Sequence, residues 1–324
     1  MIEDLLARVQ PFQVGLTTQF RSVNHRIGFV IHGKHGIGEW APFADYGPAA
    51  AAKWLAAALE AADQPRQQIF RNEIVANGIV PALDSVAAVS WAADLISKYQ
   101  LNTLKIKVGD RDQLNRVRAI RAEFPDVTLR VDANGSYRAT EATELIREFA
   151  ALDVAVIEQP CATLAECKAV KGNGVLIAVD ESIRLATELT DELLTEIIDA
   201  ADIAVLKPIP LGGSKPTLNL AAKLDLPVII SGSLDTSIGL SFVAYVAALL
   251  PTEPLPSGLG TSVLLEQDLV QTSLLPRQGV IKVSEPVLDE QLLAEATARI
   301  SSVELAELTQ RLIAAAEYLE EVQL

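Results

Sequence analysis

Histidine and cysteine are nearly missing from this chain. Its 324 residues hold three histidines, His25, His32 and His35, and two cysteines, Cys161 and Cys167. Two cysteines make no disulfide framework and, with no histidine nearby, a poor zinc site. They read as buried filler in a reducing cytoplasm. Positive charge is short as well: 27 Lys and Arg stand against 42 Asp and Glu, a net charge of −15. That balance argues against nucleic acid and against an anionic membrane surface, both of which select a basic face. An anionic small molecule stays open, because a local site can oppose the global sign. No apolar run reaches the ~18 residues of a membrane span without a charge, proline or turn signal. Met1-Ile2-Glu3-Asp4 lacks the basic start and apolar core of a signal peptide, so a cytoplasmic protein is expected.

Half of the residues are apolar, enough for a large core and about two domains. Between Leu104 and Pro208 five short apolar runs each end on a charge: Leu104–Lys107, Leu129–Asp132, Val154–Glu158, Ile177–Asp180 and Ile203–Lys207. Mostly apolar strands are what a parallel sheet buried on both faces requires. The closing charges follow at intervals of 22 to 27 residues, close to one strand, one helix and two loops. Five successive βα units thus deliver lysine, acid, acid, acid and lysine to one rim. In a βα barrel that rim carries the chemistry.

The chain up to about Asn72 has another rhythm. Phe12–Leu16, Arg26–His32 and Ile37–Trp40, with a Gly33–Gly36 turn, predict a small antiparallel meander. Alanine-rich Ala49–Ala62 predicts a helix. From Glu73 onward strands alternate with helices. Expected strands are Ile74–Val80, the five above, Pro227–Ser231 and a weak Leu255–Gly258. Expected helices are Val86–Tyr99, Asp112–Glu123, Ala139–Leu152, Leu185–Ile198, Lys215–Lys223 and Ser237–Leu250. Such alternation predicts an α/β parallel sheet closed into a barrel. After Thr261 the periodicity breaks, and Leu288–Gln323 carries two amphipathic helical stretches that pack back on another domain. The expected division is residues 1–72, an α+β cap; 73–260, the barrel; and 261–324, a C-terminal segment on the cap.

Asp132, Glu158 and Asp180 converge at the rim, and three carboxylates stay ionised together only with a cation among them. Oxygen ligands alone select Mg²⁺ or Mn²⁺ over zinc. Each acid by itself reads as a helix cap or an ion-pair partner; three of them between two lysines favour a metal site. In Lys105-Ile106-Lys107 the strand period puts both ammonium groups on one face. Neighbouring charge makes either a candidate base near neutral pH, the alternative being a solvated strand end. Lys207, four strands on, faces Lys107 across the opening. Two lysines can then act on opposite faces of a substrate carboxylate whose enediolate the metal stabilises. Ser231-Gly232-Ser233 offers backbone N–H groups to that carboxylate, or is an ordinary tight turn. Gly212-Gly213-Ser214-Lys215 lacks the spacing of a phosphate loop and reads as a helix start. Arg21, on a loop that can reach the mouth, is a substrate-binding candidate or a surface arginine.

At Lys-Ile-Lys 105–107, Val-Asp-Ala-Asn 131–134, Ile-Glu-Gln-Pro 157–160, Val-Asp-Glu-Ser 179–182 and Leu-Lys-Pro 206–208 the chain resembles the enolase superfamily. A lysine at both base positions places the resemblance in the muconate lactonizing group. Gly38–Tyr46, Ser231–Ser237 and Gly258–Thr261 make it most similar there to the actinobacterial o-succinylbenzoate synthase family. The resemblance implies a (β/α)7β modified TIM barrel with an α+β cap, and Mg²⁺ held by Asp132, Glu158 and Asp180. It implies Lys107 as the acid–base residue, Lys207 as a cation, Lys105 in support, and Asn134 and Glu181 behind the metal acids. The implied reaction is the dehydration of a cyclohexadiene carboxylate to 2-succinylbenzoate in menaquinone biosynthesis, by a monomer or small homo-oligomer. The same residues suit an N-succinylamino acid racemase, a dipeptide epimerase or a muconate-type cycloisomerase. A metal-free Schiff-base aldolase and a non-catalytic binding scaffold are readings of other classes.

Overall fold

The computed structural model describes residues 2–20 and 23–322. Strand β1 (Val9–Phe20) buries Phe12, Val14 and Leu16, the alternation of a half-buried strand. It pairs antiparallel with β2 (Val23–His32), which pairs antiparallel with β3 (Ile37–Trp40). The Gly33 N–H donates to the Gly36 carbonyl at 3.0 Å, closing the expected turn between β2 and β3. Helix Pro48–Asp63 packs on this sheet. A side chain at Gly38 would place its Cβ 2.0 Å from the Ala58 carbonyl, so glycine there and alanine on the helix allow the close approach.

The segment expected as one strand, Ile74–Val80, is two. β4 (Glu73–Val75) leaves the barrel to pair antiparallel with β13 (Val280–Lys282), and β5 (Gly78–Val80) begins the barrel. Between them Asn77 bonds the Gly78 carbonyl through its side chain and the Ser257 carbonyl through its N–H. After β5 come β6 (Thr103–Lys107), β7 (Thr128–Asp132), β8 (Val154–Glu158), β9 (Leu176–Val179), β10 (Ile203–Leu206), β11 (Val228–Ser231) and β12 (Leu255–Gly258). These eight strands are parallel and neighbour one another in chain order. A bridge between Ala76 and Ser257 brings the last strand to the start of the first. Among the described residues seven longer helices fill the connections, Ser85–Tyr99, Gln113–Glu123, Ala139–Ala151, Leu164–Val170, Asp191–Ala200, Ser214–Leu224 and Ser237–Ala248, with two four-residue helices, Glu181–Arg184 and Pro208–Leu211, beside them. The result is a (β/α)7β barrel with an α+β cap.

Local chemistry explains where helices start. Asp84, Thr163, Thr190 and Thr236 each accept backbone N–H bonds from the first turn that follows. Thr190 is why the fifth helix begins at Asp191 and not at Leu185 as expected; a short helix, Glu181–Arg184, precedes it. Leu164–Val170 was not expected, being only seven residues long. Every residue of Ser237–Ala248 is buried, as an all-round apolar helix must be. It is wedged between β11 and the cap. Two C-terminal helices complete the chain: Glu290–Thr297 lies against β1, with Thr297 donating to the Pro11 carbonyl at 2.6 Å, and Ser302–Val322 packs on Pro48–Asp63. Among the described residues no helix is long and apolar enough to cross a membrane.

Candidate active site

Side chains two apart on a strand share a face. On β8, β9 and β10 the face of Val156, Ala178 and Val205 forms a small apolar cluster low in the barrel. Two residues on, the same faces carry Glu158, Asp180 and Lys207. Lys107 stands in register with Asp132, and Asp132 with Glu158. The third acid is offset from this row. Glu158 pairs with Ala178, so Asp180 sits two residues further along and one past the end of β9, the stagger of a tilted barrel. Lys207 is likewise one residue past β10.

The charges are interlocked. Lys105 Nζ lies 3.0 and 3.1 Å from the two Glu158 oxygens and 3.1 Å from Asp132 Oδ2. Lys107 Nζ donates to Asp132 Oδ2 at 2.6 Å and to Asn134 Oδ1 at 2.7 Å, and sits 5.4 Å from the Phe20 ring centroid. Lys207 Nζ donates to Asp180 Oδ2 at 2.8 Å. Asn134 Nδ2 reaches Glu181 Oε1 at 3.0 Å. Asn134 and Gln159, each just past a strand end, take left-handed backbone with φ of 47° and 41°. Gln159 then accepts from the Asp180 and Ser182 N–H groups and fixes the third acid from the side.

Burial alone would raise the Asp132 carboxyl, but Lys105 and Lys107 outweigh it and hold the group well below the ordinary carboxylate range. Asp180 is lowered in the same way by Lys207 and Arg184 against its burial. Glu158 goes the other way: burial and the neighbouring Asp132 push it up to about 7 despite Lys105. Lys105 itself is raised, because Asp132, Glu158 and Asp180 overcome a burial that would lower it. Its carboxylate partners thus favour the ammonium form of Lys105, where the sequence left either lysine of 105–107 as a candidate base.

These groups open into a cleft at the barrel mouth. Lys105, Lys107, Asp132, Asn134, Glu181 and Lys207 line it together with Ser231, Gly232, Ser233 and Thr261, and Phe20 and Phe43 of the cap close one side. Glu158 and Asp180 are buried behind this lining. Arg21 lies outside the described residues. Two of the expected backbone donors at 231–233 have partners: the Gly232 N–H bonds the Gly258 carbonyl at 3.1 Å, and the Ser233 N–H bonds Asp235 Oδ2 at 2.7 Å. The buried Thr261 hydroxyl in the same wall finds no partner among the described residues.

Sequence reasoning missed Arg184. It spans Asp180 with Nε at 3.1 and 3.2 Å, Glu181 with Nη2 at 2.6 Å and the Tyr46 hydroxyl with Nη1 at 2.5 Å. Its spacing of four from Asp180 and three from Glu181 was the available signal. It also missed a clamp from the cap. Arg26 Nε donates to the Leu234 carbonyl at 3.0 Å, and Glu39 accepts from the Thr236 hydroxyl and from the N–H groups of Thr236 and Gly239. Burial and nearby Asp235 push Glu39 up to about 7. A carboxyl raised from 4.5 to about 7 on folding lends stability that is full below about 4.5 and lost as pH rises through about 7. Thermal midpoints in EDTA should therefore fall between pH 5 and 8, and Glu39→Gln should flatten part of that fall. An unchanged slope in the variant would show that Glu39 carries no such linkage.

The family described as enolase C-terminal domain-like matches residues 87–287, and the one described as enolase N-terminal domain-like matches residues 12–62. The o-succinylbenzoate synthase of Thermobifida fusca (strain YX) is 38% identical over 88% of this chain and 90% of its own. That of Mycolicibacterium smegmatis is 36% identical over 90% and 91%. Among solved structures, muconate cycloisomerase from Pseudomonas fluorescens shares the fold, with a TM-score of 0.73, 19% identity and coverage of 89% of this chain and 98% of that one. The chain belongs to the enolase superfamily, in the family of the o-succinylbenzoate synthases.

Proposed function

We propose that this chain dehydrates 2-succinyl-6-hydroxy-2,4-cyclohexadiene-1-carboxylate (SHCHC) to 2-succinylbenzoate in menaquinone biosynthesis. The observation that carries the reading is two lysines from strands four apart, Lys107 and Lys207, lining one cleft over buried acids in a chain that shares over a third of its residues with synthases. The limits of the cap, barrel and C-terminal segment at residues 72 and 260, and a cytoplasmic location, belong to the same reading.

Enzymes of this superfamily depend on a divalent metal. Among the described residues no group of three Asp, Glu, His or Cys side chains stands ready to share an ion, since each carboxylate is folded onto a cation. The donor chemistry nevertheless fits one. Asp132, Glu158 and Asp180 offer only oxygens, and the buried Glu181 Oε2 finds no partner among the described residues. Such a set suits Mg²⁺, or Mn²⁺. Asp132, Glu158 and Asp180 would hold the ion, which would supply charge stabilisation to a substrate carboxylate losing its α-proton.

Lys107 removes that proton and returns it to the departing hydroxyl. Asn134 and Asp132 hold its nitrogen at the cleft wall. Lys207 remains a cation, anchored by Asp180, and its charge favours the electron-rich intermediate. Loss of water leaves an aromatic ring, so little beyond charge stabilisation is required. Mixing SHCHC with the protein and Mg²⁺ should bleach the diene absorbance rapidly, and excess EDTA should abolish the change. No turnover with Mg²⁺ would sink the synthase assignment. Both lysines lining one cleft also favour racemisation of N-succinylamino acids, in which solvent deuterium would enter the substrate.

A further inference from the structure

Arg184 is an unusual neighbour for an acid assigned to a metal. Its side chain is 4% exposed and its fork is fully engaged, by Asp180 on one edge, by Glu181 at one tip and by Tyr46 at the other. A planar guanidinium with several fixed partners transmits position, because no arm can shift without tilting the rest. Tyr46 belongs to the cap segment before Pro48–Asp63. Its ring is held by Phe43 at 6.1 Å and Trp54 at 6.0 Å between centroids. Beyond Arg184 the bonds continue through Glu181 Oε1 to Asn134 Nδ2, and from Asn134 Oδ1 to Lys107 Nζ. A hydrogen-bonded path thus runs from the cap to the proposed base, passing an acid proposed to bind the ion.

We infer that Tyr46 and Arg184 are positioning residues through which the cap sets Asp180 and Glu181 for a divalent ion. The inference rests on the reading that the acids at the rim hold that ion. Partners behind the ligands orient them, and losing such a partner typically weakens metal binding by about 10- to 100-fold. Asp180 retains lone pairs for an ion, since Arg184 and Lys207 approach it with only three N–H contacts. Coupling is reciprocal. An ion that binds better when the cap contact is made must also strengthen the contact, and Trp54, packed on Tyr46, senses it.

The test is calorimetric titration of Mg²⁺ into the full chain, wild type against Tyr46→Phe, alongside tryptophan emission. Tyr46→Phe removes one hydroxyl and keeps the ring packing. We expect about 10-fold weaker Mg²⁺ binding, thermal stability in EDTA close to wild type, and loss of the Mg²⁺-dependent change in emission. Arg184→Lys keeps the charge without the fork and should weaken Mg²⁺ similarly. The double variant should then bind no more weakly than Arg184→Lys alone, because both residues act along one path. Wild-type affinity in Tyr46→Phe, or additive losses in the double variant, would overturn the inference and leave the metal assignment standing. Absence of Mg²⁺ binding by the wild type would overturn both.

Discussion

Lys107→Ala is expected to lower kcat for SHCHC dehydration about a thousandfold, within the range that a positioned acid–base group contributes. The loss should fall on kcat and spare Mg²⁺ binding. The Lys107 ammonium is 2.6 Å from Asp132 Oδ2, an oxygen that an incoming ion would also need. Removing it takes away a competitor, and Lys105 remains 3.1 Å away to keep Asp132 ionised. The variant should therefore bind Mg²⁺ at least as tightly as wild type. A calorimetric titration and a single-turnover assay on the same preparation decide the matter. A variant that keeps a tenth of its activity would remove Lys107 from the proton transfer. One that loses both activity and Mg²⁺ would make Lys107 structural. Lys105→Ala makes a useful contrast, since it strips the shared cation from two buried acids and should cost stability as well as turnover.

How far the sequence reaches can be seen residue by residue. The pairing of Lys105 with Lys107 on one face follows from the strand period alone, and so does the placing of Val156, Ala178 and Val205 beneath the rim charges. The barrel was legible because each βα unit repeats the same apolar run and closing charge. The antiparallel pair β4–β13 was not, because its partners lie some 200 residues apart and each is only three residues long. The two-residue offset of Asp180 depends on how far neighbouring strands slide, and no local pattern records that slide. Arg184 was half legible: its spacing to Asp180 and Glu181 is helical, but its third partner, Tyr46, lies 138 residues away. Ser231-Gly232-Ser233 stayed open between two readings in the sequence, and all three residues line the cleft. Asp235, two residues on, accepts the Ser233 N–H back onto its own side chain, a contact that the motif alone does not record. Most of what joins the cap to the barrel, Arg26 to Leu234 and Glu39 to Thr236, spans about 200 residues and needed the fold to be seen.

Two of the proposed metal acids should respond differently to loss of their charge. Glu158→Gln and Asp180→Asn are both expected to abolish Mg²⁺ binding and, with it, turnover. Their stabilities should diverge. Glu158 is pushed up to about 7 in the folded chain, so its protonated form is already preferred there at low pH. The stability this lends is full below about 4.5 and disappears as pH rises through about 7, where the buried group must ionise. A permanently neutral glutamine escapes that cost but leaves Lys105 with Asp132 as its remaining close carboxylate, so Glu158→Gln in EDTA should stay closer to wild type than Asp180→Asn, most clearly at pH 8. Asp180 is lowered, and its charge is what balances Arg184 and Lys207, whose side chains are 4% and 13% exposed. Asparagine leaves two largely buried cations with less compensation, a change of the kind that costs about 3–5 kcal/mol. Asp180→Asn should accordingly melt well below wild type across the same pH range. Thermal denaturation of the three proteins in EDTA at pH 5 and pH 8 reads this directly. Equal destabilisation of the two variants would mean that the rim acts as one charge cluster. Divergence would show that Asp180 holds the cations in place and that Glu158 is kept for the ion.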